Sequence, residues 1–105
     1  MTPLRTLIDA VKASTPTAQI DFSAVGDYDE ITLAGKACEN DTNAALQFVA
    51  TMLPGQRLSM AQIANDEWMA TIGTMDSVFH ADLARALMIC AFEAIEWQRA
   101  QKGGV

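Results

Sequence analysis

Apolar residues recur at helical spacing in three segments of the chain. The first follows Thr2–Pro3, a pair that favours the start of a helix, and predicts a helix over about residues 3–13. The second follows Asp41 or Thr42, either of which suits a helix cap, and stops at a Pro-Gly pair, so we expect a helix over about 42–53. The apolar positions are Leu4, Leu7, Ile8 and Val11 in the first helix, and Ala45, Leu46, Val49, Met52 and Leu53 in the second.

The third helical segment is the longest. Its apolar stripe runs from Leu83 to Trp97, and Asp82 is expected in its first turn, where a carboxylate is stabilised by the free amides of the helix start. It ends in the tail "QKGGV". The stripe consists of Leu83, Leu87, Cys90, Ala94 and Trp97, and the charged residues expected to face solvent are Arg85, Glu93, Glu96 and Arg99.

Between the second and third helices, "RLSMAQI" and "EWMATI" show partial alternation on either side of an Asn-Asp pair, which predicts a β-hairpin over residues 57–73. Ile63 falls out of phase with the alternation, and either a β-bulge or a slightly longer loop would restore it. Residues 18–36 give mixed signals: "IDF" and "EITLA" have strand character, and "VGDYDE" between them is typical of a turn. Val78 and Phe79 suggest a short extended segment.

Together these elements predict one α+β domain over residues 1–105, with about three helices packed on a small antiparallel sheet centred on the hairpin. A two-stranded hairpin is marginally stable alone. It must therefore pack against the helices, find a third strand within 18–36, or pair with a second subunit. We accordingly expect a homo-oligomer, most simply a dimer.

The charge is unevenly distributed. Thirteen acids against seven bases give a net charge of −6, and the stretch from Asp21 to Asp41 holds six acids but only one base, Lys36. Such a surface disfavours direct binding of nucleic acid. It could be a solvated surface that aids solubility, or it could attract a basic host protein; Asp27, Asp29 and Glu30 would lie at its centre.

The longest uninterrupted apolar run, Ala86 to Phe92, is far shorter than the roughly 20 residues that span a bilayer. The N-terminal segment carries charges where a secretory signal would be apolar. We therefore expect a cytoplasmic protein without a membrane segment. Cys38 and Cys90 have neither a disulfide framework nor metal-ligand spacing and are expected to be free thiols.

The order of "DTNAALQFVATMLPGQRLSM", "EWMATI" and "HADLARALMICAFEAIE" resembles a group of small proteins encoded by bacteriophages and prophages, described as a phage αβα-sandwich domain. "LRTLIDAVKA" is also similar to that group's first helix, and residues 14–40 are unmatched. Gln56 departs from the pattern, which has an aromatic residue there, and Leu83 stands where it has Thr-Pro. The resemblance implies a fold and a phage-like origin, and it implies no catalytic residue.

His80, the only histidine, precedes Asp82 and Cys90, but ten helical residues would place His80 and Cys90 about 15 Å apart, too far for a catalytic pair. Cys38 could approach His80 from another element, which leaves a small enzyme using His80 with Cys38 or a carboxylate as an alternative. The acids of "DYDE" lack the calcium-loop pattern, and no zinc or phosphate motif is present. We expect neither a metal nor a cofactor.

Trp68 and Trp97 suit either core packing or a protein interface, because tryptophan is enriched in the residues that dominate binding. The sequence thus favours a non-catalytic accessory protein of phage or prophage type, which acts through protein–protein contact or self-assembly. The alternatives are an acidic inhibitor of a basic, nucleic-acid-binding host protein and the small enzyme described above.

Overall fold

The computed structural model describes residues 3–73 and 75–103, so the predicted cap at Thr2 and the last two residues of the tail lie outside the described residues. Within these ranges the chain forms four helices and a three-stranded antiparallel sheet, which confirms the α+β class and the hairpin. The helices are α1 (Pro3–Lys12), α2 (Tyr28–Cys38), α3 (Thr42–Met52) and α4 (Leu83–Gly103), and the strands are β1 (Leu58–Ala64), β2 (Glu67–Ile72) and β3 (Val78–His80).

Helix α4 forms the centre of the molecule. Every residue from Ala84 to Phe92 is buried, because α1, α2, α3 and the strands β2 and β3 all pack against this helix. A helix covered on several sides has no single apolar stripe. Phe92 meets Phe48 of α3 edge to face, with ring centroids 5.6 Å apart and ring planes at 78°. None of the described helices is both long and apolar enough to cross a membrane.

The sheet has the strand order β1-β2-β3. Met60, Ala70 and Val78 form one row across it, because Met60 pairs with Ala70 and Ala70 with Val78. The register shifts between Gln62 and Ala64, so of the two alternatives that the sequence leaves open at Ile63 the strand adopts the bulge. Strand β1 lies at the open edge, and six of its seven residues are exposed.

The strand character assigned to "EITLA" is wrong, since residues 30–34 lie within α2. A capping box starts this helix: the Asp27 carboxylate accepts from the amide of Glu30, and the Glu30 carboxylate accepts from the amide of Asp27. "IDF" also lies outside the sheet, with Phe22 buried in the core. The third strand is β3, at the extended segment expected around Val78 and Phe79.

The expectation that Arg85 faces solvent is wrong, because the side chain is buried. Its Nε donates to the carbonyl oxygen of Cys38 over 3.2 Å, Nη1 to that of Val11 over 3.4 Å and Nη2 to that of Thr15 over 2.8 Å. Carbonyls at helix C-termini lack partners within the helix and lie at the negative end of the helix dipole. A single guanidinium therefore joins the ends of α1 and α2 to the first turns of α4.

Ion pairs join α1 to α4 at the surface. Arg5 pairs with Glu96 and, over 3.6 Å, with Glu93, and Lys12 reaches Glu93 over 3.6 Å. The hydrogen bond that Arg5 donates to Glu96 is the main cause that raises the pKa of Arg5. Because these side chains are partly exposed, each pair stabilises the packing only modestly.

Arg99 attaches the loop before α2 to the C-terminal half of α4. It donates from Nη1 to the carbonyl oxygen of Ala24 over 2.7 Å and from Nη2 to that of Val25 over 2.8 Å. Helix α4 itself continues into the predicted tail as far as Gly103.

Candidate functional site

In the described part of the chain no strand pairs with the outer side of β1, and this open edge presents its backbone groups in a fixed pattern. The carbonyl oxygen of Arg57 accepts from the amide of Gly73 over 2.7 Å, so these two residues form a hydrogen-bonded pair at the start of the β1-β2 ladder. In antiparallel pairing, hydrogen-bonded and non-hydrogen-bonded pairs alternate. The amides and carbonyls of Leu58, Met60 and Gln62 therefore point away from β2, towards the open edge.

No charged residue and no proline protects this edge. Residues 58–64 read LSMAQIA, and only the bulge at Ile63 interrupts the strand, near its end. Natural edge strands are commonly shielded by lysine, proline, inward charges or a covering element. The regular stretch from Leu58 to Gln62 therefore remains a template that another strand can extend.

Charges stand at the two ends of β1. Arg57 precedes the strand, and Asp66 and Glu67 follow it, all three exposed. In a chain with a net charge of −6, this uncharged strand is a place where two acidic molecules can approach with little repulsion. The edge thus has a neutral centre, one basic end and one acidic end.

Met60 carries an apolar side chain beyond the helical layer. It lies in the same row as the buried Ala70 and Val78, on the sheet face that α4 covers, yet 41% of it is exposed. The reason is its position on the outermost strand, past the part of the sheet that α4 contacts most. Met60 is therefore an exposed apolar side chain at the middle of the edge.

The two tryptophans lie near opposite ends of β2. Trp68 is near the start of this strand, and Trp97 of α4 lies beside Ile72 at its end. Trp68 is half-buried and lines a shallow cavity of about 410 Å³ beside Asp82, the cap of α4. Trp97 is 54% exposed and lines a small cleft with Ile72 and Met75, so it does not join the core as the stripe of α4 suggested. Four strand residues, about 14 Å, separate Trp68 from Ile72. The two rings do not form one contact surface.

The acids between Asp21 and Asp41 are mostly used within the fold. Asp27 and Glu30 form the capping box of α2, and the Asp41 carboxylate accepts from the amide of Ala44 at the start of α3 over 3.1 Å. Asp29 lies in the first turn of α2, and Glu39 and Asp41 follow its last turn, about 15 Å away along the helix axis. Asp21, in the loop before α2, accepts from the amide of Ser23 over 2.9 Å, so the six acids are spread over that loop and both ends of α2.

His80 is held in a hydrogen-bonding state unsuited to a general base. Its Nδ1 accepts from the amide of Asp82 over 2.9 Å, and its Nε2 lies 3.2 Å from Oγ of Ser14. Because Nδ1 is the acceptor, this geometry assigns the proton of the neutral ring to Nε2, which donates to Ser14. A base that activates a serine needs the reverse arrangement.

Cys38 offers no activated thiol. It is buried, and burial raises its pKa to about 12, while burial also raises the pKa of Cys90 to about 11. Nucleophilic cysteines need the opposite shift, because the thiolate is the reactive form. The hydrogen bonds found among the described residues do not join His80 to Cys38.

A cavity of about 570 Å³ lies between the start of α1, the loop before α2 and the end of α4. Its two charged side chains are already engaged, since Glu96 pairs with Arg5 and Arg99 binds backbone carbonyls. Within residues 3–73 and 75–103, no three histidine, cysteine or acidic side chains are grouped to hold a metal. The open edge of β1 differs from these sites, because no other described strand pairs with its outward backbone groups.

Comparisons with protein-family models, with curated proteins and with solved structures found no match to this chain.

Proposed function

We propose that this chain is a non-catalytic accessory protein that acts through protein–protein contact, and that the contact is made by the open edge of β1. The observation that carries the proposal is the uncharged stretch from Leu58 to Gln62, whose outward backbone groups have no partner strand among the described residues. Strand addition to such an edge gains main-chain hydrogen bonds, and pockets for alternate side chains add specificity.

Contact is favoured over catalysis by the state of the candidate catalytic residues. The thiol of Cys38 is protonated at neutral pH, and Nδ1 of His80 is occupied by the amide of Asp82. Neither group can act as a nucleophile or a base without a rearrangement. The carboxylates that line a cleft of about 420 Å³ with His80 are those of Asp76 and Glu93, and Glu93 is already paired with Arg5 and Lys12, each over 3.6 Å.

The phage or prophage origin is supported by the resemblance of "DTNAALQFVATMLPGQRLSM" and "HADLARALMICAFEAIE" to small proteins of that source. With that origin the protein acts in the cytoplasm of a bacterial host. Its partner there is a protein, either a host protein or a further copy of the same chain.

The test compares immobilised wild-type chain with Met60→Lys, which places a charge at the middle of the edge. Phe79→Lys is the matched control. Phe79 is an exposed apolar residue of the same sheet, but it lies on β3, which β2 separates from β1. Each chain is incubated with bacterial extract that also contains an untagged copy of the protein, and retained proteins are quantified by mass spectrometry.

The proposal predicts at least one protein, the untagged copy included, that wild type and Phe79→Lys retain equally and that Met60→Lys retains about tenfold less, because a charged side chain on an edge strand disfavours the addition of another strand. Equal retention by all three chains would contradict it. Circular dichroism of each variant checks that the fold is intact.

A further inference from the structure

We infer that the occupant of this edge is a second copy of the chain, paired antiparallel through β1 so that two three-stranded sheets become one six-stranded sheet. The inference rests on the proposed function, since it names the partner for the same edge. It also fixes the register: Met60 of one copy lies opposite Met60 of the other, on the two-fold axis.

The register follows from the outward backbone groups. Three residues, Leu58, Met60 and Gln62, direct their amides and carbonyls to the open edge. An antiparallel arrangement centred on Met60 places Leu58 of one copy opposite Gln62 of the other, and every outward group then has a partner. If the centre of the pairing moves from Met60 to Ala61, Leu58 comes to lie opposite Ala64 of the other copy. Ala64 lies past the bulge and pairs with Glu67 of its own chain. The Met60-centred register therefore satisfies the most backbone groups.

The charges favour the antiparallel direction. Antiparallel pairing of two identical strands brings the end that carries Arg57 beside the end that carries Asp66 and Glu67 of the other copy. Parallel pairing would place Arg57 beside Arg57 and acid beside acid. The neutral stretch between these ends lets two chains of net charge −6 meet without placing like charges directly opposite each other.

The side chains on the axis are also complementary. Met60 is 41% exposed in the single chain, and self-pairing brings two flexible thioether side chains together on the face that α4 covers. The symmetric contact is isologous, as in most protein dimers, and it closes without leaving β1 open. The assembled sheet then has β3 of each copy at its ends.

A charge exchange at position 60 tests the register. Met60→Lys alone and Met60→Glu alone each place like charges on the axis, so each should have the mass of one chain, 11.3 kDa, in solution. A mixture of the two variants places opposite charges there and should restore a species of twice that mass. Wild type and Phe79→Lys should both be dimeric.

Disulfide trapping gives an independent measurement, because Cys38 and Cys90 are buried. Opposed residues of a hydrogen-bonded pair have Cα atoms about 5.5 Å apart, within the range that a disulfide spans. Met60→Cys should therefore form a linked dimer under mild oxidation. Gln62→Cys should not link to itself, because in this register position 62 of one copy lies four strand residues, about 14 Å, from position 62 of the other. It should link to Leu58→Cys when the two variants are mixed.

The outcomes separate this inference from the proposed function. Suppose that wild type stays at the mass of one chain over a wide concentration range and still retains another protein, which Met60→Lys does not retain. In that case the inference of a second copy is wrong and the proposed contact function stands. If Gln62→Cys links to itself and Met60→Cys does not, the register is wrong. If the edge retains nothing and the chain is a monomer, both proposals are wrong.

Discussion

The guanidinium of Arg85 donates a hydrogen bond to the carbonyl oxygen of Thr15 over 2.8 Å, although 70 positions separate the two residues in the chain. The same side chain binds the carbonyls of Val11 and Cys38. Arg85 is a buried cation. The described partners of its guanidinium are all backbone carbonyls at or near the C-terminal ends of α1 and α2. This relationship holds α1 and α2 in place around α4.

Arg85→Met should therefore destabilise the fold strongly. The substitution keeps an apolar stem of similar length but removes this donor from the carbonyls of Thr15 and Cys38, while that of Val11 keeps the amide of Ser14. We expect the free energy of unfolding to fall by roughly 3 kcal/mol. Urea denaturation followed by circular dichroism measures the change. Arg99→Met is the matched control, because Arg99 also binds two carbonyls but is exposed, and water can replace its bonds. A loss no larger than that of Arg99→Met would refute the role assigned to Arg85.

The capping box predicts unequal roles for neighbouring acids at the start of α2. Asp27→Ala removes the carboxylate that accepts from the amide of Glu30, and should lower the free energy of unfolding by about 1 kcal/mol. Asp29→Ala removes a charge from the first turn without removing a cap bond, and should cost about 0.5 kcal/mol or less. Equal losses in urea denaturation would mean that charge alone, and not the cap, stabilises this end of α2.

The buried thiols predict a loss of stability at alkaline pH. Folding raises the pKa of Cys38 to about 12 and that of Cys90 to about 11 from an ordinary value of 9.0, because burial disfavours the thiolate. The unfolded chain therefore releases these protons first as the pH rises above 9. From there towards pH 11, the free energy of unfolding should fall by about 1 kcal/mol per pH unit for each thiol.

The measurement is the urea midpoint at pH 8, 9 and 10, for wild type and for a variant carrying both Cys38→Ala and Cys90→Ala. The variant should start from a lower stability but lose less of it with rising pH, because it has no thiol to ionise. Parallel curves for the two proteins would show that other groups cause the alkaline loss.

His80 should be present as the Nε2-protonated tautomer when the ring is neutral. The amide of Asp82 donates to Nδ1, which leaves Nε2 as the protonated nitrogen facing Ser14. Nitrogen chemical shifts of the ring, read from long-range proton–nitrogen spectra, distinguish the two tautomers. Signals of the Nδ1-protonated form would contradict this assignment, because Nδ1 could then not accept from the amide of Asp82.

Much of the fold could be predicted from local patterns. Helices α1 and α3 and the hairpin of β1 and β2 follow from periodicity, from caps and from turn residues, which are all encoded within a few positions of each other. A bulge or a longer loop was predictable for the same reason, since Ile63 alone breaks the alternation of its strand. These features need no knowledge of distant contacts.

The structure differs from the predictions where tertiary packing outweighs the local sequence pattern. Arg85 looked solvent-facing because arginine usually is, yet its helical phase places it with Met88, Ile89 and Phe92, all buried. That phase was a usable signal. In α2, "EITLA" has strand propensity, but the Asp27–Glu30 capping box and burial against α4 outweigh it. The Asp and Glu spacing three residues apart could have indicated the helix start.

The candidate site was predicted only in outline. The hairpin edge followed from the marginal stability of two strands, but the outward direction of Leu58, Met60 and Gln62 depends on the hydrogen bond between Arg57 and Gly73, which no sequence pattern encodes. The exposure of Trp97 likewise depends on where α4 extends past the core.

Amide hydrogen exchange of β1, followed residue by residue by NMR at low and high protein concentration, tests the central claim most directly. Met60→Lys serves as the reference for the unpaired chain. In that reference the amides of Ser59 and Ala61, which face β2, should be protected, while those of Met60 and Gln62 exchange freely. In wild type, the amides of Met60 and Gln62 should become protected as the concentration rises. Free exchange of these two amides in wild type at every concentration would contradict pairing of the chain with a second copy through this edge.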